Sequence, residues 1–326
     1  AYQIYANDTI NLMGDRAVLS LGVRAPTVTR DVTNYANEAT TTSYNIQKTY
    51  SDVLPQVGVR FNIDKTQQVF ANVGKNFRAA PNFAFTGSNV TFNSAGQVVL
   101  VTEAKPETSV VTDLGYRLQT KGMSLSATLF NTNFTDRQAN AYDPVADKST
   151  YTNAGNVKTQ GLELEVGSAP FGGGFTAYGS FTAQSSEMQD NITVAKGQVL
   201  PTAGKQFTLV PDRMVGASLQ YAVGAFYARL KVKHTGRQYA SLLNDEEVPA
   251  YTTGDFDAGY NFGNFGMLSN VQLRFNLSNI TNAQYRNPSS GSVVNTVKYG
   301  STNPSTVYYY LGAPRYAAIS LSADFK

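Results

Sequence analysis

Near its C-terminus the chain reads Ala317-Ala318-Ile319-Ser320-Leu321-Ser322-Ala323-Asp324-Phe325. Successive side chains of an extended strand point to opposite faces. The odd-numbered residues of this segment are all apolar and share one face, whereas the even-numbered residues are small or polar and share the other. One face therefore suits hydrocarbon and the other suits water, which is the pattern of a strand in the wall of a transmembrane β-barrel.

The composition favours the same fold class. The 326 residues are 42% hydrophobic and only 15% charged, with 20 Tyr and 18 Phe, whereas soluble domains contain about 25% charged residues. No stretch approaches the ~18 consecutive apolar residues of a membrane helix, which excludes a helical membrane protein. The sequence contains no Cys and therefore no thiolate metal site. Lys and Arg (26) barely exceed Asp and Glu (23), so nucleic-acid binding has little support.

Thirteen alternating segments are predicted to be strands, and no long helical periodicity accompanies them. In one segment Val271, Leu273 and Phe275 alternate with Gln272 and Arg274, as expected for a strand with one apolar and one wet face. The predicted strands span 2–12, 16–30, 50–63, 67–78, 107–119, 122–136, 150–167, 174–187, 211–222, 225–239, 251–262, 269–279 and 313–325.

The connections between these strands are alternately short and long. Tight turns such as Met13-Gly14-Asp15 alternate with long segments at 31–49, 79–106, 137–149, 188–210, 240–250 and 280–312. Outer-membrane barrels have tight periplasmic turns and long external loops, whereas a soluble sandwich has no reason to keep this alternation. The prediction is an all-β, antiparallel transmembrane β-barrel. Its odd strand count predicts a further strand upstream, unless a strand is hidden in a long loop such as 280–312.

Four segments resemble the TonB-dependent outer-membrane receptors and occur in that family's order. They are residues 74–83 (GKNFRAAPNF, similar to S-x-G-F-R-A-P-x-F), 105–117 (KPETSVVTDLGYR, similar to K-P-E-x-S followed by E-x-G-Y), 153–165 (NAGNVKTQGLELE, similar to N-x-G-x-x-x-x-x-G-x-E-x-E) and 276–285 (NLSNITNAQY, similar to N-L-x-N-x-x-x-x-x-Y). Together with the alternating C-terminal strand, the resemblance extends over nearly the whole chain.

The resemblance implies that residues 1–326 are the C-terminal portion, about 13 strands, of a plugged barrel of about 22 strands. The N-terminal plug, the TonB box and the early strands would then be absent from this chain. The implied location is the bacterial outer membrane. The implied function is active transport of a scarce solute, most often a ferric siderophore, through binding at external loops and TonB-driven movement of the plug; it is not enzymatic.

The resemblance also implies a set of partners. These are the TonB complex, reached through the missing N-terminal region, outer-membrane lipid and lipopolysaccharide, and the small-molecule cargo. No resident cofactor is implied, because a metal would arrive only as part of the transported chelate.

Aromatic and guanidinium side chains in the long loops are the candidate ligand contacts. An aromatic face can stack on a chelate and a guanidinium can hydrogen-bond its anionic oxygens. The candidates are Phe83, Phe85, Arg137, Tyr142, Arg237, Arg286 and Tyr309. The tyrosines nearest the strand ends, Tyr151, Tyr239 and Tyr285, are interpreted as part of the interfacial aromatic girdle instead.

Charged residues on the polar face of the alternating strands are predicted to face the lumen. The residues interpreted as plug-facing are Arg60, Arg117, Glu163, Glu165, Arg229, Lys231 and Arg274, and Arg24, Arg78, Lys233, Asp113, Asp255, Asp257 and Asp324 share their phase. Charges of both signs suit a wet wall that hydrogen-bonds a plug. In an open porin the same charges would set ion selectivity.

Two alternative functions remain open. One is a passive outer-membrane diffusion channel of about 14 strands, and the other is a barrel-borne hydrolase. A hydrolase would need His234, the sole imidazole, which excludes a multi-histidine metal site. The alternation along its strand places His234 on the apolar, outward face. Ser218 on the preceding strand lies on the opposite, wet face.

Overall fold

The computed structural model describes residues 1–36, 42–101, 103–143, 148–193, 198–288 and 293–325. Within these residues the chain forms 24 strands and two 3-10 turns, Asn82–Phe85 and Gly87–Asn89. The strands are β1 (Tyr2–Leu12), β2 (Ala17–Asn34), β3 (Tyr44–Ser51), β4 (Leu54–Asn62), β5 (Gln67–Arg78), β6 (Val90–Phe92), β7 (Val98–Leu100), β8 (Glu107–Gln119), β9 (Met123–Thr135), β10 (Gln138–Asp143), β11 (Lys148–Asn153), β12 (Val157–Ser168), β13 (Phe175–Met188), β14 (Ile192–Thr193), β15 (Val199–Leu200), β16 (Arg213–Val223), β17 (Phe226–Thr235), β18 (Gln238–Tyr239), β19 (Glu247–Val248), β20 (Tyr251–Phe265), β21 (Leu268–Ser278), β22 (Arg286–Pro288), β23 (Tyr309–Leu311) and β24 (Tyr316–Phe325).

The long strands form one antiparallel meander. Its order is β1-β2-β4-β5-β8-β9-β12-β13-β16-β17-β20-β21-β24, and β3 pairs with the outer half of β2. These thirteen strands confirm the predicted all-β antiparallel wall. Six long loops lie at one end of the wall: L1 (35–53), L2 (79–106), L3 (136–156), L4 (189–212), L5 (236–250) and L6 (279–315). L2 to L6 each contain a short hairpin of their own, which the sequence analysis did not predict.

Three predicted strands are each divided into two; one of them, 225–239, breaks between Thr235 of β17 and Gln238 of β18. The segment 50–63 breaks after Ser51, where the Asp52 carboxylate accepts the Val53 N–H at 2.7 Å. The segment 150–167 breaks at Gly155, which has a φ of +71° and donates its N–H to the Asn153 side chain at 2.8 Å. Short polar side chains that bond to nearby backbone interrupt a ladder without disturbing the hydrophobic alternation. The predicted loop 31–49 was also wrong at both ends, because β2 and β3 extend into it.

The register gives the wall one apolar and one polar face. On the apolar face Leu114 pairs with Leu129, and Leu219 pairs with Leu230. These outward side chains remain exposed; the exposed fraction is 57% for Leu114 and 56% for Leu129. Soluble monomers rarely expose apolar patches of more than a few hundred Å², so a face covered by such residues suits lipid. Within the described residues, no helix has the length and apolarity needed to cross a membrane.

Aromatic side chains form a belt on the apolar face at the short-turn end. Phe175 and Tyr221 have ring centroids 4.7 Å apart, and Tyr260 pairs in register with Phe226. Phe61 and Tyr116 lie at the same end on other strands. Such belts mark the membrane interface in outer-membrane barrels.

The hydrophobic core lies in the long loops rather than in the sheet. Most of the fully buried residues belong to L2–L6 or to the strand ends beside them. They form two clusters, one around Phe85 and Tyr151 and the other around Met188 and Leu242. The wall is therefore held by its ladder, while apolar burial organises the loop layer.

On the polar face, aromatic rings cover glycines of the neighbouring strand. A Cβ added to Gly115 would lie 2.1 Å from Phe70, and one added to Gly259 would lie 2.5 Å from Tyr227. At Gly161 the added atom would meet the Ala183 carbonyl oxygen at 2.4 Å as well as Phe130 at 2.7 Å. A strand glycine that admits such a close approach packs an aromatic ring flat against the sheet.

We expect Gly161→Ala to destabilise the barrel by ~1–3 kcal/mol, because the Ala183 carbonyl is backbone and cannot rotate away. The denaturant midpoint of the detergent-solubilised barrel, followed by the heat-modifiable band on gels, measures this change. Gly122→Ala is the matched control, since nothing lies within 4 Å of a Cβ at that exposed turn. Equal midpoints for the two variants would contradict the prediction.

Candidate ligand-binding loops and polar wall

L1, L2 and L3 pack together around buried aromatic residues. Phe85 is fully buried, and the Tyr151 ring is buried beside it. The Tyr50 hydroxyl donates to the Ala104 carbonyl at 2.6 Å, and the Tyr151 hydroxyl donates to the Lys105 carbonyl at 3.1 Å. These bonds attach one residue of L1 and one of L3 to the same stretch of L2.

L4, L5 and L6 form a second packed group. The Asn244 side chain exchanges two 2.8 Å hydrogen bonds with the backbone of Gln206 in L4. The Leu242 N–H donates to the Val293 carbonyl at 2.9 Å, and the Val293 N–H donates to the Ala240 carbonyl at 3.1 Å. The three loops are therefore joined by backbone as well as by apolar contacts.

Arg137 of L3 connects the two groups. Its guanidinium bonds the Glu107 carboxylate at 2.7 Å and stacks on Phe134 at 4.0 Å and on Phe207 of L4 at 5.2 Å. The other Glu107 oxygen accepts the Gln138 N–H at 2.8 Å. Because the Arg137 and Glu107 side chains are only 25% and 8% exposed, removal of one partner leaves a desolvated charge.

We expect Arg137→Met to loosen L3 against the start of β8 and against L4, because Glu107 would be left buried without its cation and Phe207 without its guanidinium contact, at a cost of up to ~3 kcal/mol. Limited proteolysis of the assembled barrel should show faster cleavage within L3 and L4. Arg237→Met is the control, since that side chain is 59% exposed and no closer than 3.7 Å to a carboxylate. Unchanged cleavage of Arg137→Met would show that the ion pair is dispensable.

Arg286, Tyr309 and Glu246 form a compact cluster between L5 and L6. The Arg286 guanidinium lies 4.3 Å from the Tyr309 ring and 3.4 Å from the Glu246 carboxylate, and the Tyr309 hydroxyl donates to the same carboxylate. Burial, aided by the hydrogen bond to Glu246, raises the pKa of Tyr309. The phenol therefore stays protonated and acts as a donor at neutral pH.

Asp245 holds L6 through backbone donors. Its carboxylate accepts the N–H groups of Thr296 at 3.0 Å and Val297 at 2.9 Å. Burial opposes its ionisation, but the hydrogen bonds from Ser241 and from these two residues outweigh burial and lower the pKa of Asp245 below 3.8. The contact is therefore fully present above pH 3.8 and is lost as the pH falls through the lowered pKa.

We expect Asp245→Ala to remove the protection of the Thr296 and Val297 amides at neutral pH, because their acceptor is gone. Hydrogen–deuterium exchange of the peptide that spans 293–299 measures this change. Glu247→Ala is the control, because Glu247 is exposed and its only described ion pair is the 3.9 Å contact with Arg237. The assignment fails if the two variants exchange at the same rate.

The polar face carries a groove between two strands of opposite charge. The groove has a volume of about 510 Å³, with Glu163 and Glu165 of β12 on one side and Lys231 and Lys233 of β17 on the other. Across the intervening strands, Glu165 pairs with Ser180, Ser180 with Gly216, and Gly216 with Lys233. Because Ser180 and Gly216 are small, they leave space between the two rows of charged side chains.

Other charges on this face are paired in different ways. Arg229 donates its Nε–H to the Asp257 carboxylate at 3.0 Å, and Arg117 stacks on Phe70 at 4.3 Å. The seven predicted luminal residues all lie on this face by register: Arg60, Arg117, Glu163, Glu165, Arg229, Lys231 and Arg274.

Comparison with known protein families identifies the family to which this β-sheet wall belongs. The model of the TonB dependent receptor-like β-barrel matches residues 1–280. The chain belongs to this family. Its members are outer-membrane β-barrel proteins, so the outer membrane is where this TonB-dependent receptor barrel lies.

Named relatives agree with this assignment. The chain is 27% identical to the ferrioxamine receptor of Yersinia enterocolitica over 224 residues, which cover 68% of the chain and 28% of that receptor. The solved siderophore receptor PiuA of Acinetobacter baumannii superposes with a TM-score of 0.75 at 19% identity, covering 99% of the chain and 42% of PiuA. The ferric yersiniabactin uptake receptor FyuA of Yersinia pestis gives 0.71 at 20% identity, covering 99% and 45%. The chain thus spans less than half the length of each.

The predicted ligand residues lie in two separate groups of loops. Arg286 and Tyr309 are in contact, and Arg237 approaches the neighbouring L5 residue Glu247 at 3.9 Å. Phe83 is half-buried at the other loop group, close to the fully buried Phe85. The Tyr142 side chain lies outside the described residues. These residues therefore lie in two separate loop groups.

Several predicted residues have packing partners in the barrel. Phe85 has no exposed surface for a ligand, and Arg137 is occupied by Glu107 and two rings. Tyr151, interpreted as a girdle residue, is instead buried inside the loop layer. Sequence pattern did not reveal these positions, because loop packing depends on contacts between distant segments.

His234 and Ser218 take opposite faces of the receptor barrel, as their phase predicted. His234 pairs with Val215 on the apolar face and hydrogen-bonds Thr252 at 2.9 Å, whereas Ser218 pairs with Lys231 on the polar face. A nucleophile–base pair between them is therefore impossible. The matched relatives are transport receptors rather than enzymes. In the described part of the chain, no three His, Cys, Asp or Glu residues converge as a metal site.

Proposed function

We propose that the protein carrying this chain imports a ferric siderophore across the outer membrane, using energy delivered through TonB. Membership of the TonB-dependent receptor barrels supports the mechanism, and the names of the ferrioxamine receptor and of PiuA support the cargo class. In this proposal residues 1–326 are the C-terminal part of the receptor, and the plug and early strands belong to polypeptide outside the sequence.

The carboxylates of Glu163 and Glu165 carry the proposal. Glu163 lies between Thr128 and Thr182 in register, and Glu165 between Ser126 and Ser180, so neither has a cross-strand cation. Two adjacent carboxylates of this kind favour a cationic partner in the lumen. A plug that presents basic side chains satisfies them, whereas an open diffusion pore leaves them exposed to water.

The loop layer supports binding on the outer side. Arg286 and Tyr309 offer a guanidinium and an aromatic ring at one place, and Arg237 offers a second cation nearby. These groups can stack on a chelate and donate charge-assisted hydrogen bonds to its oxygens. The metal then arrives as part of the cargo and needs no protein ligand.

The proposal also names the surroundings of the wall. The apolar face contacts outer-membrane lipid, and lipopolysaccharide lies beside the loop end. The TonB complex acts from the periplasm through the region upstream of this chain.

Uptake of radioactive iron by whole cells tests the proposal. Cells that express the protein should accumulate ⁵⁵Fe from a supplied ferric siderophore, and deletion of either the receptor gene or tonB should abolish accumulation, because transport through a plugged lumen needs energy. Trying ferric hydroxamate, catecholate and carboxylate chelates in parallel identifies the cargo class. Accumulation that is independent of tonB and unsaturable would instead indicate a passive channel.

A further inference from the structure

The outward face of the wall is not apolar over its whole height. In β9 and β12 the last apolar outward pair before the loops is Leu129 with Leu162. Closer to the loops, the outward residues of β9, β12, β13, β16, β17 and β20 are polar or charged, and together they are called the outer polar band. Its members are Asn131, Asn133, Lys158, Gln160, Ser185, Glu187, Arg213, His234 and Thr252.

The two ends of the outward face therefore differ in chemistry. At the short-turn end the outward residues form the aromatic belt that includes Phe175, Tyr221 and Tyr260. Outer-membrane barrels carry aromatic girdles at both interfaces, but the outer polar band contains no aromatic residue. On these strands the loop end of the outward face is suited to hydrogen bonds and charge rather than to ring stacking.

The outer polar band lies at the height of the outer-leaflet headgroups. On β16, Arg213 is eight residues from Tyr221 of the aromatic belt. A rise of about 3.3 Å per residue and a strand tilt of about 40° place Arg213 roughly 20 Å above the belt. Because the apolar band of such barrels is about 25 Å tall, Arg213 reaches the far interface of the membrane.

Arg213 is a cation whose charge is only partly compensated. Its side chain is 62% exposed, and its ion pair among the described residues is with Asp212 at 3.9 Å. The Asp212 carboxylate also faces the Arg237 guanidinium at 3.7 Å. One carboxylate shared by two guanidinium groups leaves a net positive charge at this place, which favours an anionic neighbour.

His234 and Lys158 add donors on either side of Arg213. His234 pairs with Val215, two residues from Arg213, so the two side chains are diagonal neighbours about 7–8 Å apart. The His234 Nδ1 is hydrogen-bonded to the Thr252 hydroxyl at 2.9 Å, which leaves Nε2 for an outside partner. Lys158 is exposed, and although Glu187 lies opposite it in register, no ion pair of Lys158 within 4.0 Å is found in the described part of the chain.

These groups match the headgroup of one class of lipid. Lipopolysaccharide presents phosphate groups together with sugar hydroxyls, whereas phosphatidylethanolamine carries its own ammonium group beside its phosphate. Guanidinium and ammonium groups bind phosphate oxygens through charge-assisted hydrogen bonds. The amides of Asn131, Asn133 and Gln160 can donate to and accept from hydroxyl groups, so the whole band suits a phosphorylated saccharide.

We propose that Arg213, His234 and Lys158, with the amides of the outer polar band, form a binding site for the phosphate groups of lipopolysaccharide on the outward face of the barrel. This inference rests on the proposed function only for the presence of lipopolysaccharide beside the loop end, and it is independent of the cargo. The site faces the membrane and not the lumen, so the bound lipid stays outside the transport path.

Native mass spectrometry of the full-length protein, extracted from outer membranes and exchanged into a mild detergent, tests the inference. The probes are purified rough-type lipopolysaccharide, the same lipid after enzymatic dephosphorylation, and phosphatidylethanolamine. We expect the wild type to bind the phosphorylated lipid at least tenfold more tightly than either of the others. Arg213→Gln and Lys158→Gln should each weaken that binding about tenfold, as loss of one charge-assisted hydrogen bond implies.

Two other exposed cations provide matched controls. Lys121→Gln changes a lysine in the short turn between β8 and β9, and Arg60→Gln changes an arginine on the polar face of β4. Both should bind lipopolysaccharide as the wild type does, and heat-modifiable migration on gels shows that each variant is an assembled barrel. Equal binding of the phosphorylated and dephosphorylated lipids, or wild-type binding by Arg213→Gln and Lys158→Gln, overturns the inference.

Uptake of ⁵⁵Fe separates this inference from the proposed function. Arg213→Gln and Lys158→Gln should take up the ferric chelate through tonB as the wild type does, because neither residue faces the lumen. A wild type that imports the chelate but does not prefer the phosphorylated lipid overturns the inference and leaves the proposed function standing. A wild type that prefers the phosphorylated lipid but imports no ferric chelate supports the inference and contradicts the proposed function.

Discussion

Pairing of backbone hydrogen-bond groups inside the bilayer is the constraint on which this structure depends. Hydrocarbon offers no partner to an N–H or C=O group, so each strand in the wall must be bonded by its neighbours. From β2 to β21 the meander meets this requirement, since every wall strand is bonded on both sides and tight turns join the strands at one end; β1 and β24 are each paired on one side within this chain. Because the ladder supplies the cohesion, the side chains of the wall are free to divide between a lipid face and a wet face. No interior core is then needed between the two faces.

The loop layer obeys the opposite rule, since it lies in water and must build its own core. Phe85, Tyr151, Met188 and Leu242 are buried there, and the hairpins of L2 to L6 satisfy much of the loop backbone. Arg137 joins the two loop groups by an ion pair and by two rings, which makes the layer one continuous body in the described residues.

Sequence alone predicted the wall well because its signal is local. The alternation of Leu230 with Arg229 and Lys231 assigns strand and face within a few residues, and the loop lengths assign orientation. Breaks such as the one at Gly155 were missed, since a side chain that bonds to its own backbone leaves the alternation intact. The contacts between the loops could not be predicted from the sequence for a different reason. The burial of Phe85 depends on L1 and L3, which lie tens of residues away, and no short-range pattern encodes that packing.

The same distinction applies to the charges of the polar face. A single luminal arginine such as Arg60 follows from strand phase, whereas the ion pairing of Arg78 depends on L3, through the partner that one carboxylate takes. Glu107 could neutralise Arg78 across the ladder, but it binds Arg137 and the Gln138 backbone instead. The bond that stabilises the loop layer therefore leaves Arg78 without an ion pair among the described residues.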